Sequence, residues 1–358
     1  MLPDSVGFEQ RLARQRSALD VLDVTATAVL RRVPADVWCT VLIDPSTLLD
    51  TGGQNEAGFS PEYLPRLFEI EHVEADDPGN LRELANGAST TSLLSRATVG
   101  NIHSSKYYQD ILRPQGLGDE LRVALRDGPH VWGLLVMCRE HGAAPFTDAD
   151  EAAAARLGRP ATAALRRSLL LSGVDTGAVP DAPGLVVVDR EGTARSMSPT
   201  ARTWLELLQD GSPEHARPLR AVAAAALASG MARSRALTRS GRWVALQAWS
   251  MGQEEEGLVA VSLSPPEPGE LTAVILGAYG LSERERQITQ HVMRGHSTTQ
   301  IAGRLNISPH TVQDHLKSVF AKTGLGSRRA LVADIFFRHY LPHFGEGPLS
   351  TDGRRLAG

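Results

Sequence analysis

The sequence predicts a multidomain α+β protein, with two mixed α/β domains followed by an all-helical C-terminal domain. Stretches rich in proline and glycine, at 172–184 and 264–270, divide the chain of 358 residues into three parts. Proline stiffens such a connection and stops a helix from propagating. Only the third part carries the start and stop signals of four consecutive helices. We therefore expect domains at 1–171, 183–264 and 270–345.

Composition excludes several classes of protein. Hydrophobic residues make up 42% of the chain and charged residues 22%, which is typical of a globular protein rather than a disordered one. No apolar run approaches the ~18–20 residues that a membrane span needs, and the first residues do not read as a secretion signal. We therefore expect a cytoplasmic protein with no membrane partner.

Charge and cysteine content indicate what the protein binds. The net charge is −4, yet segment 271–345 has nine basic and four acidic residues, and a basic module favours a polyanionic partner. Only two cysteines occur, Cys39 and Cys138, so no disulfide framework is expected. Both lie on predicted strands and we interpret them as buried packing groups, with a redox pair or a metal site as the alternative.

The first part mixes helix and strand. A heptad-like stripe over 8–29 predicts one helix, which either makes a dimer contact or packs on its own sheet. Apolar runs predict buried strands at 38–43 and 131–138. A helix is expected from Asp148 towards residue 170, kinked or interrupted at Pro160.

The second part is predicted to contain strands with one short helix. Its turn signals are Glu191–Gly192 and Ser240–Gly241, and the second of these joins a hairpin. The predicted elements are a strand at 185–189, a helix at 200–208, and strands at 235–238, 243–249 and 258–263.

The third part is predicted to be helical throughout. Serine begins each of its four helices, and two of these serines form capping boxes with a Glu or Gln three residues later. The four are Ser282, Ser297, Ser308 and Ser327. The second and third helices are joined by only about three residues, 306–308. A turn that short matches a helix-turn-helix, whose second helix enters the DNA major groove.

The third helix of this part carries the candidate site. Its apolar face is formed by Val312, Leu316, Val319 and Phe320. Its other faces carry polar side chains long enough to reach bases or phosphates, namely His310, Gln313, Asp314, Lys317 and Lys322. Gln pairs with adenine, Asp accepts from cytosine and Lys donates to guanine, while Ser308 and Thr311 suit a phosphate oxygen. The alternative is a helical docking module with a solvated charged face.

Residues 281–339 resemble the LuxR-type DNA-binding domain. The shared pieces are LSERE at 281–285, GHSTTQIA at 295–302, ISPHTV at 307–312, HLKSVFAK at 315–322 and SRRAL at 327–331. The resemblance implies a four-helix domain that binds DNA as a dimer and regulates transcription. By position it implies that Gln313, Asp314 and Lys317 read bases. It also implies phosphate contacts by Ser308, Thr311, Lys322 and Arg328.

The upstream parts show weaker resemblances. Residues 109–171 resemble the second half of a GAF sensory domain, and 185–263 resemble a PAS-like fold. Such domains imply a small-molecule ligand, whose identity is unknown, or a role in dimerisation; no cofactor, metal or catalytic residue is expected. The whole chain is similar to GAF–PAS–LuxR regulators.

The resemblances together predict a signal-sensing transcriptional regulator. Its expected partners are double-stranded DNA, a second copy of the chain, and RNA polymerase or other transcription proteins. The alternative is a constitutive DNA-binding scaffold whose upstream domains only dock proteins or dimerise. The sequence contains no nucleophile elbow, phosphate-binding loop or zinc-protease motif, so we expect no enzyme.

Overall fold

The computed structural model describes residues 3–56, 60–171, 180, 182–208, 216–251 and 257–336. These residues form a mixed α+β structure with two antiparallel sheets and a C-terminal set of helices, which confirms the predicted fold class. The chain divides into two compact units. The first contains both sheets, and the second contains the helices from residue 267 onward. The finer boundary between domains at 1–171 and 183–264 stays a prediction.

The first sheet is five-stranded and antiparallel. Its strands are β1 (Val37–Ile43), β2 (Asp50–Glu56), β3 (Thr91–Leu93), β4 (Leu117–Asp127) and β5 (His130–Glu140). Their order across the sheet is β2-β1-β5-β4-β3, and the strands predicted at 38–43 and 131–138 are confirmed as β1 and β5. Strand β5 is central and is covered on both faces, which explains why its apolar run is unbroken.

Helices α2 (Ala18–Leu30) and α6 (Asp148–Leu171) pack on one face of the first sheet, and α1 (Pro3–Arg14) packs on these two helices. The prediction of one helix over 8–29 is wrong. The Ser17 hydroxyl accepts the Asp20 N–H at 3.0 Å and begins a second helix. The apolar stripe is buried inside the unit, for example at Phe8, Leu12 and Leu22. This favours packing on its own sheet over the dimer contact.

Helix α6 passes Pro160 without interruption, so of the two predicted effects the interruption is wrong and the kink stays a prediction. Proline removes the N–H that would have reached the carbonyl of Arg156, and its ring crowds the same carbonyl. Arg156 lies on an exposed face of the helix, where water can satisfy that carbonyl.

The opposite face of the first sheet is covered by a segment that the sequence patterns did not predict. It consists of short helices and two π-helical turns, which are α3 (Leu64–Phe68), the turn Glu69–Glu74, α4 (Leu81–Asn86), α5 (Leu94–Ala97) and the turn Tyr108–Leu112. Side chains from this segment, including Ile70, Leu81 and Ile111, form one buried cluster with β1 and β5. The two cysteines lie in this cluster, and both are free and buried. Burial raises the pKa of Cys39 to about 11, as expected for a packing group rather than a reactive thiol.

The second sheet repeats the strand order of the first. Its strands are β6 (Gly184–Val188), β7 (Ala194–Met197), β8 (Met231–Leu237), β9 (Trp243–Met251) and β10 (Leu258–Ser264). Their order is β7-β6-β10-β9-β8, so both sheets have their first and last strands side by side at the centre. The predicted strands and both turns are confirmed, with Gly192 and Gly241 at positive φ.

Two helices accompany the second sheet. Helix α7 (Pro199–Leu207) confirms the helix predicted at 200–208, whereas α8 (Arg217–Ser229) was not predicted. Helix α8 packs on β8 and β9 and also contacts β2 and the turn Glu69–Glu74 of the first sheet region. It therefore belongs to the packing of both sheet regions.

Two buried ion pairs join the sheet regions. The Arg235 guanidinium donates to both carboxylate oxygens of Asp44, at 2.8 and 3.0 Å, and the Arg235 N–H donates to the same carboxylate at 3.0 Å. Arg217 donates to Asp50 through Nη2 at 2.7 Å and Nε at 2.9 Å. All four side chains are less than one tenth exposed. Arg235 binds both oxygens of Asp44, and such bidentate pairing specifies geometry as well as charge, whereas both Arg217 donors reach one oxygen of Asp50.

The second unit is a bundle of helices. The structure describes α9 (Pro268–Ala278), α10 (Glu283–Met293), α11 (Thr298–Leu305), α12 (Pro309–Thr323) and α13 (Arg328–Ile335). The four predicted N-caps are confirmed. Helix α9 was not predicted, because it begins inside the expected linker 264–270. The predicted C-terminal end of this part lies outside the described residues.

Among the helices of the described ranges, none combines the length and apolar character that crossing a lipid bilayer requires.

Replacing Asp44 with asparagine should destabilise the first unit. The variant leaves the Arg235 charge buried without its counter-charge, and such a loss costs about 3–5 kcal/mol. All five tryptophans precede residue 250, so urea unfolding followed by tryptophan fluorescence reports on this unit.

The matched control for Asp44→Asn is Asp127→Asn. Asp127 pairs with Arg166 at the surface, with its own side chain 49% exposed, and an exposed pair contributes about 0–1 kcal/mol. Equal losses in the two variants would contradict a special role for the buried pair.

Candidate nucleic-acid interface

Helices α11 and α12 form a helix-turn-helix. Asn306 ends α11 in the left-handed conformation, with φ 54°, which asparagine tolerates better than most residues. The Ser308 hydroxyl accepts the Thr311 N–H at 3.0 Å and begins α12. The turn therefore has three residues, as the sequence predicts. The two helices contact each other, and α12 also packs on α10.

Helix α12 divides cleanly into an inner and an outer face. Val312, Leu316 and Val319 are buried in the core of the second unit, and Phe320 packs at its edge. Gln313, Asp314 and Lys317 are exposed on the outer face. The Lys317 side chain is 75% exposed, so it can reach a base edge without any change in the protein core.

Asp314 is held between two basic side chains on the outer face. His310 Nδ1 lies 3.0 Å from one carboxylate oxygen, and Lys317 Nζ donates to the other at 3.2 Å. The hydrogen bond from Lys317, together with the nearby His310, lowers the pKa of Asp314 below its ordinary value. The carboxylate is therefore ionised and partly neutralised by its own helix, which reduces its repulsion of a nucleic acid.

The first turn of α12 carries two further predicted residues. The hydroxyls of Ser308 and Thr311 lie 2.8 Å apart, and the Ser308 hydroxyl also caps the helix. Ser308 is exposed and Thr311 is half-buried. Both stand at the helix N-terminus, where backbone amides favour an anion.

Lys322 lies in the last turn of the same helix, with its side chain 39% exposed, and is tied to α10. Its Nζ donates to Glu285 at 2.6 Å, and the same carboxylate accepts the Ser318 hydroxyl at 2.6 Å and the Ser282 N–H at 2.7 Å. Burial alone would raise the pKa of Glu285. The hydrogen bonds from Lys322, Ser318 and Ser282 outweigh that effect and lower it to about 2. An ammonium group has three donors, so the predicted phosphate contact of Lys322 stays a prediction.

Arg328 is also engaged within the unit. It donates to the carbonyl of His296 at 2.6 Å and to the Thr298 hydroxyl at 3.2 Å, which joins α13 to the start of α11. The Thr298 hydroxyl also accepts from Gln313 Nε2 at 3.3 Å. The Thr298 hydroxyl thus links the outer face of α12 to α13. The phosphate contact predicted for Arg328 is not tested by this arrangement.

The sequence patterns do not indicate several residues that form or support the exposed face of α12. Glu285 was noticed only as part of a capping box, although its carboxylate also fastens α12 to α10. Thr298 carried no signal beyond its place at the start of a helix. Arg304 and Arg329 are exposed and make no ion pair within the described part of the chain, and their charge was the only available indication of them.

A helix-turn-helix with a basic, exposed second helix defines a class of DNA-binding domain. Residues 280–333 match the family described as "Bacterial regulatory proteins, luxR family". The second unit therefore carries a LuxR-type helix-turn-helix domain.

Curated relatives match over the same region. A putative HTH-type transcriptional regulator of Mycobacterium bovis is 38% identical over 86 residues, which is 24% of this chain and 10% of that protein. A putative HTH-type transcriptional regulator of Aeromonas salmonicida is 32% identical over 95 residues, which is 25% of this chain and 48% of that protein. The chain thus spans about a tenth of the mycobacterial relative and about half of the Aeromonas one.

Solved structures show weaker likenesses. Escherichia coli SdiA is 12% identical with a TM-score of 0.34, covering 93% of this chain and 95% of that one. A GAF domain/HD domain protein from Geobacter sulfurreducens is 15% identical with a TM-score of 0.31, covering 42% of this chain and 92% of that one. TM-scores this low do not identify a shared fold.

Replacing Glu285 with glutamine should destabilise the second unit in a pH-dependent way. Loss of a buried charge-assisted hydrogen-bonding group costs about 1–3 kcal/mol at pH 7. Because the folded-state pKa is lowered to about 2 from 4.5, the wild-type carboxylate contributes its full stability above about pH 4.5 and loses it as the pH falls towards 2. The difference in free energy of unfolding between wild type and variant should therefore decrease as the pH falls from about 4.5 towards 2.

Urea titrations followed by the amide NMR signals of α12 measure this difference at each pH. Glu283→Gln is the matched control, because the Glu283 side chain is 71% exposed and its removal should cost about 0–1 kcal/mol. A difference in free energy of unfolding that stays constant from pH 7 to pH 2 would contradict the low pKa of Glu285.

Proposed function

We propose that this protein is a one-component transcriptional regulator that binds duplex DNA through α12. The observation that carries the proposal is the outer face of a LuxR-type recognition helix, where Gln313 and Lys317 are exposed and Asp314 is held between basic side chains. Gln313 offers its amide to adenine and Lys317 its ammonium to guanine. Ser308 and Thr311 would contact the phosphates beside them.

The proposed regulator acts as a homodimer and works with RNA polymerase or other transcription proteins. LuxR-type helix-turn-helix domains place two recognition helices in successive major grooves when they dimerise. The two sheet regions receive a signal and change the geometry of the dimer, for which a coupling of about 1–3 kcal/mol suffices. No catalytic step is part of this function, and the protein acts in the cytoplasm, where bacterial DNA lies.

Replacing Lys317 with alanine should weaken binding to a specific site by about 1–3 kcal/mol and relax base preference at one position. The duplexes would come from genome-wide mapping of bound sites, and affinities would be measured at one fixed salt concentration. Lys106→Ala is the matched control. Lys106 lies in the first unit and pairs with Glu74 and Asp76. The Lys106→Ala variant should therefore bind DNA with the affinity of wild type.

An equal loss for Lys317→Ala on every duplex would make Lys317 a phosphate contact rather than a base contact. Full-length protein that binds no duplex even in dilute salt would overturn the proposed function.

Dimeric binding predicts a strict spacing of the two half-sites. Their centres should lie about 10 bp apart, one turn of the duplex. Inserting five base pairs between them moves one half-site to the opposite face and should weaken binding about tenfold or more, because the second contact is lost. Gel-shift titration measures this. Unchanged affinity after the insertion would contradict paired recognition helices.

A further inference from the structure

A cavity lies inside the first unit, on the face of the first sheet opposite α6. Strands β1 and β5 form its floor through Val41, Ile43, Leu134 and Val136, and Phe68 of α3 covers it. Its volume is about 60 Å³, which corresponds to roughly four waters or a ligand segment of a few heavy atoms. Its lining is mainly apolar at this end, so the floor favours a hydrocarbon group over water.

A groove of about 410 Å³ lies beside the cavity, between the two sheet regions. Glu71, His72 and Leu81 belong to the walls of both spaces, so they mark the junction. Exposed Arg82 and Arg233 stand on the rim of the groove. The groove alone has the size of an ordinary small-molecule site, about 300–1,000 Å³.

The charged side chains in the cavity wall neutralise each other. Asp50 pairs with Arg217 of α8, and Glu71 pairs with Arg122. Arg122 further donates to Glu120 and stacks its guanidinium on the Tyr107 ring at 4.6 Å. The lining itself holds two carboxylates and two guanidinium groups, so its own charges balance. Glu120 lies outside the lining, and burial raises the pKa of its carboxyl, which favours the uncharged form. An ion placed there would have to break a buried pair, which is costly.

His72 is the polar group in the wall that these pairs leave available. It makes no hydrogen bond with the described residues, and its ring stacks on Phe68 at a centroid distance of 5.7 Å. Burial lowers the pKa of His72, an effect that Arg82 reinforces and that Glu71 and Asp50 oppose. The ring is therefore neutral at pH 7 and offers one donor and one acceptor.

We propose that this cavity binds a small uncharged organic molecule. Its hydroxyl or amide group hydrogen-bonds His72, and its apolar part lies on β1 and β5 beneath Phe68. The proposal deepens the proposed function by naming the chemical class of the signal, and it rests on that function only for the effect of the ligand on DNA binding.

The site is placed to affect both sheet regions at once. Arg217 in the cavity wall belongs to α8, which packs on the second sheet. The groove beyond it is lined by Ala225, Met231 and Arg233 from the same region. A ligand that fills the cavity therefore contacts side chains from both sheet regions.

Methyl NMR of the full chain with three five-carbon probes tests the proposal. The probes are 1-pentanol, pentanoate and pentylammonium, which share a tail and differ in charge. We expect 1-pentanol to shift the methyl signals of Val41, Ile43, Leu134 and Val136 saturably, with a dissociation constant of about 1–10 mM for so few atoms. Methyls of Val123 and Leu125, on the α6 face of the sheet, should not shift. Each charged probe should bind at least about tenfold more weakly.

Two histidine variants locate the polar contact. His72→Phe keeps the stacking on Phe68 but removes the hydrogen bond, and it should weaken 1-pentanol binding about tenfold. His103→Phe is the matched control, because His103 is exposed and packs edge-on against Tyr108 away from the cavity. It should bind 1-pentanol as wild type does.

The proposal is overturned if 1-pentanol shifts no cavity methyl, if the charged probes bind as well as the alcohol, or if His72→Phe and His103→Phe behave alike. None of these outcomes bears on DNA binding, because the titrations contain no DNA. A chain that binds 1-pentanol in the cavity but ignores duplex DNA would instead overturn the proposed function and leave this site standing.

Discussion

One buried carboxylate fixes the geometry of the second unit. Glu285 accepts the N–H of Ser282, which begins α10, and also accepts from Ser318 and Lys322 on α12. The Glu285 side chain thus caps α10 and also fixes the position of α12 against it. The outer face of α12 points away from the core of the second unit, because its inner face is fastened at both the apolar core and this ionic contact. The DNA-binding surface therefore depends on a group that need not touch DNA.

The basic residues of the second unit serve two different purposes. Lys322 and Arg328 face neighbouring helices and hold them together, while Lys317 and Arg304 face solvent. Net charge alone does not separate these groups, because each contributes equally to the positive balance of the segment. The acidic Asp314 among them is accommodated by its pairing with His310 and Lys317. Contacts that hold the helices together and solvent-exposed positive charge are thus supplied by different members of one basic set.

Features encoded locally could be predicted, and features that depend on distant partners could not. Four serine caps and two apolar runs predicted α10 to α13, β1 and β5, because each signal lies within a few residues of the element it begins. Helix α8 follows Ala216, which makes no side-chain cap hydrogen bond. Helix α9 begins at Pro268, inside the segment that the sequence predicts as a linker. The partners of Lys322 and Arg328 lie 37 and 32 residues away. The cavity combines residues from 39 to 217, so no spacing rule indicates it.

The paired arginines and aspartates also limit how this chain can be divided. Asp44 and Asp50 belong to the first sheet region, and their guanidinium partners belong to the second. A fragment cut between the sheets would expose two carboxylates on one piece and two guanidinium groups on the other, each shaped for a partner it no longer has. The two sheet regions would be inherited together.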